Sequence, residues 1–131
     1  MILDSSAIVC VIEEEDGHGN LLDALDAAPE ISVGAPTLFE TAIVLISRQE
    51  AAGRAALLRF LTENSIASIP FGAHHWAIAA EAFIRFGKGR HPARLNFGDC
   101  MTYATARLAA DPLLCIGDDF AQTDLALALF D

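Results

Sequence analysis

Residues 96–100, Asn96-Phe97-Gly98-Asp99-Cys100, read as the opening of a helix, and they follow closely on a cationic loop, Arg85-Phe86-Gly87-Lys88-Gly89-Arg90-His91. An asparagine at a helix tip can accept from first-turn N–H groups that lack an intrahelical partner. An acid three residues on can return a bond to the cap while facing the positive end of the helix dipole. Asp99 is therefore expected at a helix tip. Alone it is an ordinary acidic cap. If Asp4, Glu40 and Asp118 reach the same place, it becomes part of a metal site, and the basic loop becomes an entrance for a phosphate chain.

The rest of the chain supplies the elements that could bring them together. Met1-Ile2-Leu3 is a short apolar strand ending at Asp4, and Ser5 or Ser6 can cap a helix over the apolar stretch 7–12. Glu13 to Asp16 would end that helix in a solvated turn, because acids there sit at the unfavourable end of the dipole. Leu21, Leu22, Leu25 and Ala28 mark a second helix up to Pro29, and residues 31–33 a second strand. Pro36 suits the first turn of a helix running to about residue 51, with Leu38, Ala42, Leu45, Ile46 and Gln49 as its buried stripe and Glu40 near its start. Gly53 is expected to separate it from a helix carrying Leu57, Phe60 and Leu61. Residues 66–70 read as a third strand. Trp76, Ala80, Phe83 and Ile84 form the stripe of a helix stopped near Gly87. The helix opened by Asn96 carries Cys100, Tyr103, Ala104 and Leu108 as far as Asp111-Pro112. A fourth strand over 113–116, a turn at 117–120 and a fifth strand over 125–129 complete the chain.

Strands separated by helices predict an α/β fold with a mainly parallel sheet of about five strands and helices on both faces. That topology places the acids. Asp4 and Asp118 each follow a strand and so stand at the carboxyl edge of the sheet, the usual ligand edge. Glu40 and Asp99 lie near the starts of helices that run antiparallel to the strands, and those starts fall at the same edge.

The formal charge is −10, which taken in bulk disfavours a polyanionic partner. Its distribution says otherwise. No Lys or Arg precedes Arg48, whereas Arg85, Lys88, Arg90 and Arg94, half of the 8 basic residues, fall within ten positions. These four are the candidate nucleic-acid contacts. Cys10, Cys100 and Cys115 are odd in number, widely spaced and set in apolar runs, so buried thiols in a reducing cytoplasm are expected. An acid at position 4 without a basic n-region argues against a secretory signal, and no apolar run approaches the ~20 residues of a membrane span. Apolar residues make up 53% of the chain, a surplus that predicts self-association or a partner in a groove.

Four clustered carboxylates repel, and without compensation most would take up protons. A hard divalent ion resolves this: Mg²⁺ or Mn²⁺ prefers oxygen ligands, and two such ions ~4 Å apart suit phosphodiester cleavage. Nothing suggests zinc, since the adjacent pair His74-His75 cannot share a helix face.

With these residues in view the chain resembles the PIN-domain ribonucleases, and specifically the VapC toxins of bacterial toxin–antitoxin pairs. The resemblance is carried by Met1-Ile2-Leu3-Asp4-Ser5-Ser6-Ala7, by Glu40-Thr41, by Asn96-Phe97-Gly98-Asp99-Cys100, and by Gly117-Asp118-Asp119-Phe120 with Thr123-Asp124-Leu125. It implies a single PIN domain over 1–131 and a Mg²⁺- or Mn²⁺-dependent endoribonuclease, inhibited by a small cognate antitoxin of the VapB kind; the homodimer is expected from the apolar surplus. Asp4, Glu40 and Asp99 match the family's acidic positions. For the fourth, Asp118 is favoured over Asp119, with Asp124 third. Ser6 matches the hydroxyl residue that supports the first acid. Two other functions compete. An aspartyl-phosphate phosphatase would need an acid where Ser6 stands, and a catalytically inactive PIN-like binding module sits badly with four retained acids.

Overall fold

The computed structural model describes residues 1–128. Strand β1 (Ile2–Leu3) leads into helices α1 (Ser5–Ile12) and α2 (His18–Ala27). Strand β2 (Ser32–Gly34) leads into α3 (Ala35–Gln49) and α4 (Ala51–Glu63). Then come β3 (Ala67–Ile69), α5 (Ala73–Phe86), α6 (Phe97–Ala109), β4 (Leu113–Leu114) and a single 3-10 turn at Phe120–Gln122. The strands form a parallel sheet in the order β3-β2-β1-β4. The connections therefore step outward from β1 through β2 to β3 and return to the other side of β1 for β4. The β1/β4 boundary is thus the switch point at which parallel sheets open a crevice.

Both faces of the sheet are covered, which explains why its strands read as unbroken apolar runs. Side chains alternate along a strand. Leu3 and Leu114, paired in register, face a core with Ile8, Leu21, Val33, Leu45 and Phe60, while Ile2 and Leu113, also paired, face a second core with Phe86, Leu95, Tyr103 and Phe120.

The expected elements are present in their expected order, with five informative differences. On α3 the fully buried residues are Thr37, Thr41 and Leu45, whereas Ile46 and Gln49 of the expected stripe are exposed. Asp4 itself, not Ser5 or Ser6, caps α1, its carboxylate accepting from the Ser6 N–H. Gly53 lies inside α4, and the break falls instead at Glu50, whose φ of 52° turns the chain. A methyl group on Gly53 would overlap the carbonyl of Leu45, so this glycine lets α4 close onto α3. On α5 the buried residues are Ala82 and Phe86, with Ile78 and Ala79 packed against the core, whereas Trp76, Phe83 and Ile84 are exposed. The helix is apolar nearly all round, so periodicity alone does not choose the stripe that packs. Last, the fifth strand is reduced to a parallel bridge between Leu113 and Leu127, held by Leu113 N–H to Ala126 O and Ala128 N–H to Leu113 O at 2.9 and 2.8 Å. Residue 129 of that expected strand lies outside the described residues.

A Gly53→Ala variant is expected to lose about 1–3 kcal/mol, since overpacking against a fixed backbone outweighs the helix propensity gained. Urea denaturation followed by circular dichroism measures it, and an unmoved midpoint would mean that α3 and α4 do not need this approach.

Candidate active site

The carboxyl edge of β1 sets the first ligand. Asp4 is the one buried carboxylate among the described residues, at 6% exposure. It takes an extended backbone at the α1 tip, and its Oδ2 accepts from the Ser6 N–H at 3.1 Å and from the Ser6 hydroxyl at 2.6 Å. Ser6 Oγ in turn accepts from the Ile116 N–H at 3.0 Å. A single hydroxyl therefore ties the acid after β1 to the backbone leaving β4, bridging the switch point.

Glu40 lies in the second turn of α3 against the first turn of α6. A Cβ built on Gly98 would stand 2.5 Å from Glu40 Oε2, so the absence of a side chain there makes room for the carboxylate. Burial raises the Glu40 pKa, the Ser5 side chain offsets part of that rise, and the Asp4 charge adds to it. The α6 tip is the reciprocal capping box expected from its sequence. Asp99 N–H donates to Asn96 Oδ1 at 2.9 Å and Asn96 N–H donates to Asp99 Oδ2 at 3.0 Å.

Asp99 reports the electrostatics of the whole edge. Burial lifts its carboxyl to about 6, against the lowering effect of the Asn96 N–H, and the charges of Asp4, Asp119 and Glu40 push the same way as burial. Its folded-state pKa thus exceeds its unfolded value, so the protonated form is favoured in the fold and this contribution to stability is lost as pH rises from about 4 through 6. The half-buried Cys115 thiol is pushed up to about 12 by burial and then by Asp4, Asp119 and Asp99. Asp4, Glu40 and Asp119 therefore all lie near enough to Asp99 for their charges to raise it. Asp118 and Asp119 are both exposed on the turn after β4, and Asp119 is the one whose charge is among those raising Asp99 and Cys115. Sequence reading could not separate neighbours in a tight turn. It also overlooked Ser5 and Gly98, although Gly98 carried a signal, a glycine within a helical first turn.

Asp124 belongs elsewhere. It accepts from the Tyr103 hydroxyl at 2.6 Å and from Arg107 at 3.1 Å, and Arg85 stands 3.3 Å away. Burial alone would raise its pKa, but the Tyr103 hydroxyl and the two guanidinium groups outweigh it and hold the carboxyl below its usual range. Arg85 is thereby committed to a clasp between α5, α6 and the segment after the 3-10 turn. Lys88, Arg90 and Arg94 make no ion pair among the described residues; all three are exposed, and Arg90 lies over the Phe83 ring at 5.5 Å. Their loop is pinned rather than loose. Lys88 N–H donates to Leu95 O and Leu95 N–H to Phe86 O, both at 2.9 Å, and Ala93 and Leu95 are fully buried beneath it.

Among the described residues no three His, Cys, Asp or Glu side chains close into a metal cage. The donor set still fits a hard ion: it is all oxygen, it is mutually repelling, and Gly98 leaves Glu40 a cradle that any Cβ would fill. Mg²⁺ commonly takes one or two protein carboxylates and fills its remaining positions with water, so an open arrangement of this kind suffices.

The PIN domain family model matches residues 1–125. Ribonuclease VapC36 of Mycobacterium tuberculosis is 47% identical over 126 residues, covering 95% of this chain and 91% of that protein. Among solved structures, Mycobacterium tuberculosis VapC20, described as a sarcin-ricin loop cleaving toxin, superposes with a TM-score of 0.77 at 18% identity over 95% of both chains. A toxin–antitoxin complex from Klebsiella pneumoniae gives 0.69 at 19% identity, covering 94% of this chain and 92% of that one.

A Gly98→Ala variant is expected to fold, because the clash is with the end of a flexible side chain, but to bind Mn²⁺ about 10-fold more weakly as Glu40 is displaced. Isothermal calorimetry reads this directly; wild-type affinity would remove Glu40 from the site.

Proposed function

The chain belongs to the PIN-domain family, and within it to the VapC ribonucleases, and on that footing we propose that it is the toxin of a toxin–antitoxin pair that hydrolyses RNA phosphodiester bonds with Mg²⁺ or Mn²⁺ held at the β1/β4 edge. The observation that carries the reading is the setting of Asp99, whose carboxyl is raised by burial and further by the charges of Asp4, Asp119 and Glu40, three acids from distant parts of the chain. When bound, the metal supplies a Lewis acid that activates water and stabilises the leaving oxygen.

The chain's own residues divide the remaining work. Asp4, oriented by Ser6, and Asp99, oriented by Asn96, hold the principal ion, and Glu40 and the acid after β4 complete its surroundings. Of Asp118 and Asp119, the electrostatics favour Asp119 for that fourth role. Lys88, Arg90 and Arg94 offer positive charge to the RNA backbone. Arg85 is assigned to the Asp124 clasp rather than to RNA. An inactive module would have no use for acids held together against their repulsion, and a phosphatase would need a second acid at position 6, where this chain has a serine whose hydroxyl donates to Asp4.

An Asp99→Asn variant keeps size and most hydrogen bonding while removing the charge. It is expected to lose at least about 100-fold in cleavage of an oligoribonucleotide, the scale on which a misplaced catalytic group costs rate. Cleavage at the wild-type rate by a clean preparation would overturn the metal site.

A cognate antitoxin is the expected protein partner, since one solved structure that the chain resembles in fold is a toxin–antitoxin complex. A second copy is the other proposed partner. Phe97, 82% exposed, stands between two apolar grooves of about 490 and 470 Å³, one lined by Trp76 and Phe83, the other by Phe39 and Ile43. Glu40 is the only charged residue lining either groove. A face carrying a single charged residue is where two chains of net charge −10 can meet with least repulsion, and a ridge beside a groove is self-complementary under two-fold symmetry. Size exclusion with light scattering is expected to give twice 14.0 kDa at micromolar concentration, and half that for Phe97→Asp. A wild-type monomer would dismiss the dimer.

A further inference from the structure

The buried polar residues of the described chain are Asp4 and four threonines: Thr37 and Thr41 on α3, Thr102 and Thr105 on α6. All four threonines therefore sit on the two helices that carry Glu40 and Asp99. The helices run past each other in opposite senses, and their contacts advance turn by turn. A Cβ built on Gly34, immediately before α3, would lie 2.8 Å from Thr105 Oγ1. Thr37 Oγ1 is 3.0 Å from Thr102 Oγ1, and Glu40 packs on Gly98. Thr37 precedes Glu40 by three residues, and Thr102 follows Asp99 by three. In a helix three residues rise about 4.5 Å. The hydroxyl pair is thus one turn from each carboxylate, at the middle contact of the three.

Thr41 and Thr105 satisfy their hydroxyls within their own helices, on Thr37 O at 2.7 Å and Met101 O at 3.0 Å. Thr37 and Thr102 instead bond across the interface. Valine has nearly the same shape and would fill the space without a directional bond. An apolar seam can slide by a fraction of a turn with little penalty, whereas a buried hydroxyl pair that slides loses its partner and keeps its desolvation cost.

We propose that Thr37 and Thr102 are positioning residues: their hydrogen bond sets the register of α3 on α6 and thereby the placement of the Glu40 carboxylate relative to Asp99. The register claim stands on the packing alone. Its consequence for catalysis rests on the metal-dependent hydrolysis proposed above.

The test uses Thr37→Val, Thr102→Val, the double variant, and Thr37→Ser, which keeps the hydroxyl. In the metal-free protein, the backbone amide resonance of Gly98 is expected to move in either valine variant and to return to its wild-type position in Thr37→Ser. Mn²⁺ calorimetry is expected to give a dissociation constant about 10-fold higher for each valine variant. The double variant should be no worse than either single, because one bond is lost in all three. With an oligoribonucleotide, kcat is expected to fall while KM holds. Valine variants that melt earlier but keep the Gly98 resonance and wild-type Mn²⁺ affinity would reduce the pair to packing and overturn the proposal. So would a serine variant as impaired as valine. Should the wild-type chain take up no Mn²⁺, the nuclease reading falls while the Gly98 resonance still decides the register.

Discussion

The structure is organised around a repulsion. Burial lifts the Asp99 carboxyl to about 6, the charges of Asp4, Asp119 and Glu40 add to that rise, and no cationic side chain is among the groups that shift it. Like charges in a half-buried setting separate or take up protons unless the scaffold opposes both. Three of these acids are each restrained by a different local device. Asp4 is fixed by the Ser6 hydroxyl and N–H, Asp99 by its reciprocal bond with Asn96, and Glu40 by the space left at Gly98. The energy for those restraints comes from elsewhere in the fold. Two apolar cores, one on each face of a short parallel sheet, bury the side chains that keep β1 and β4 in register beneath the site.

Around that edge the chain separates its charges by task. One acid that could have joined the cluster, Asp124, is neutralised by Arg85, Arg107 and Tyr103 and serves to hold the segment after the 3-10 turn on α5 and α6. The cations that remain sit on a loop whose neck is closed by backbone bonds, so their side chains extend from a fixed base. The apolar surplus in the composition is explained by the exposed faces of α3, α5 and α6, where Phe39, Trp76 and Phe97 project outward instead of filling a core.

Much of this was legible residue by residue. An apolar run ending in an acid, a proline at a helix start and the Asn96–Asp99 box all encode local geometry, because capping, strand patterning and backbone restriction act within a few residues. Alternation of strands and helices was enough to direct the acids to one rim. Local rules failed wherever two segments compete for the same neighbour. Gly53 looked like a break but is a point of close approach to Leu45, and Trp76, Ala80, Phe83 and Ile84 looked like a core stripe on a helix whose other apolar stripe is the one that packs.

By itself, then, the sequence determined the order of elements and the parallel sheet, since each follows from residues close together in the chain. Tertiary structure alone decided that the Asp119 charge is among those raising Asp99, that Arg85 is bound to Asp124, and that Thr37 meets Thr102 across 65 positions. The reason is physical: which of two adjacent side chains faces a site, and which partner a charge finds, depends on contacts between distant segments, and those contacts exist only once the cores have closed.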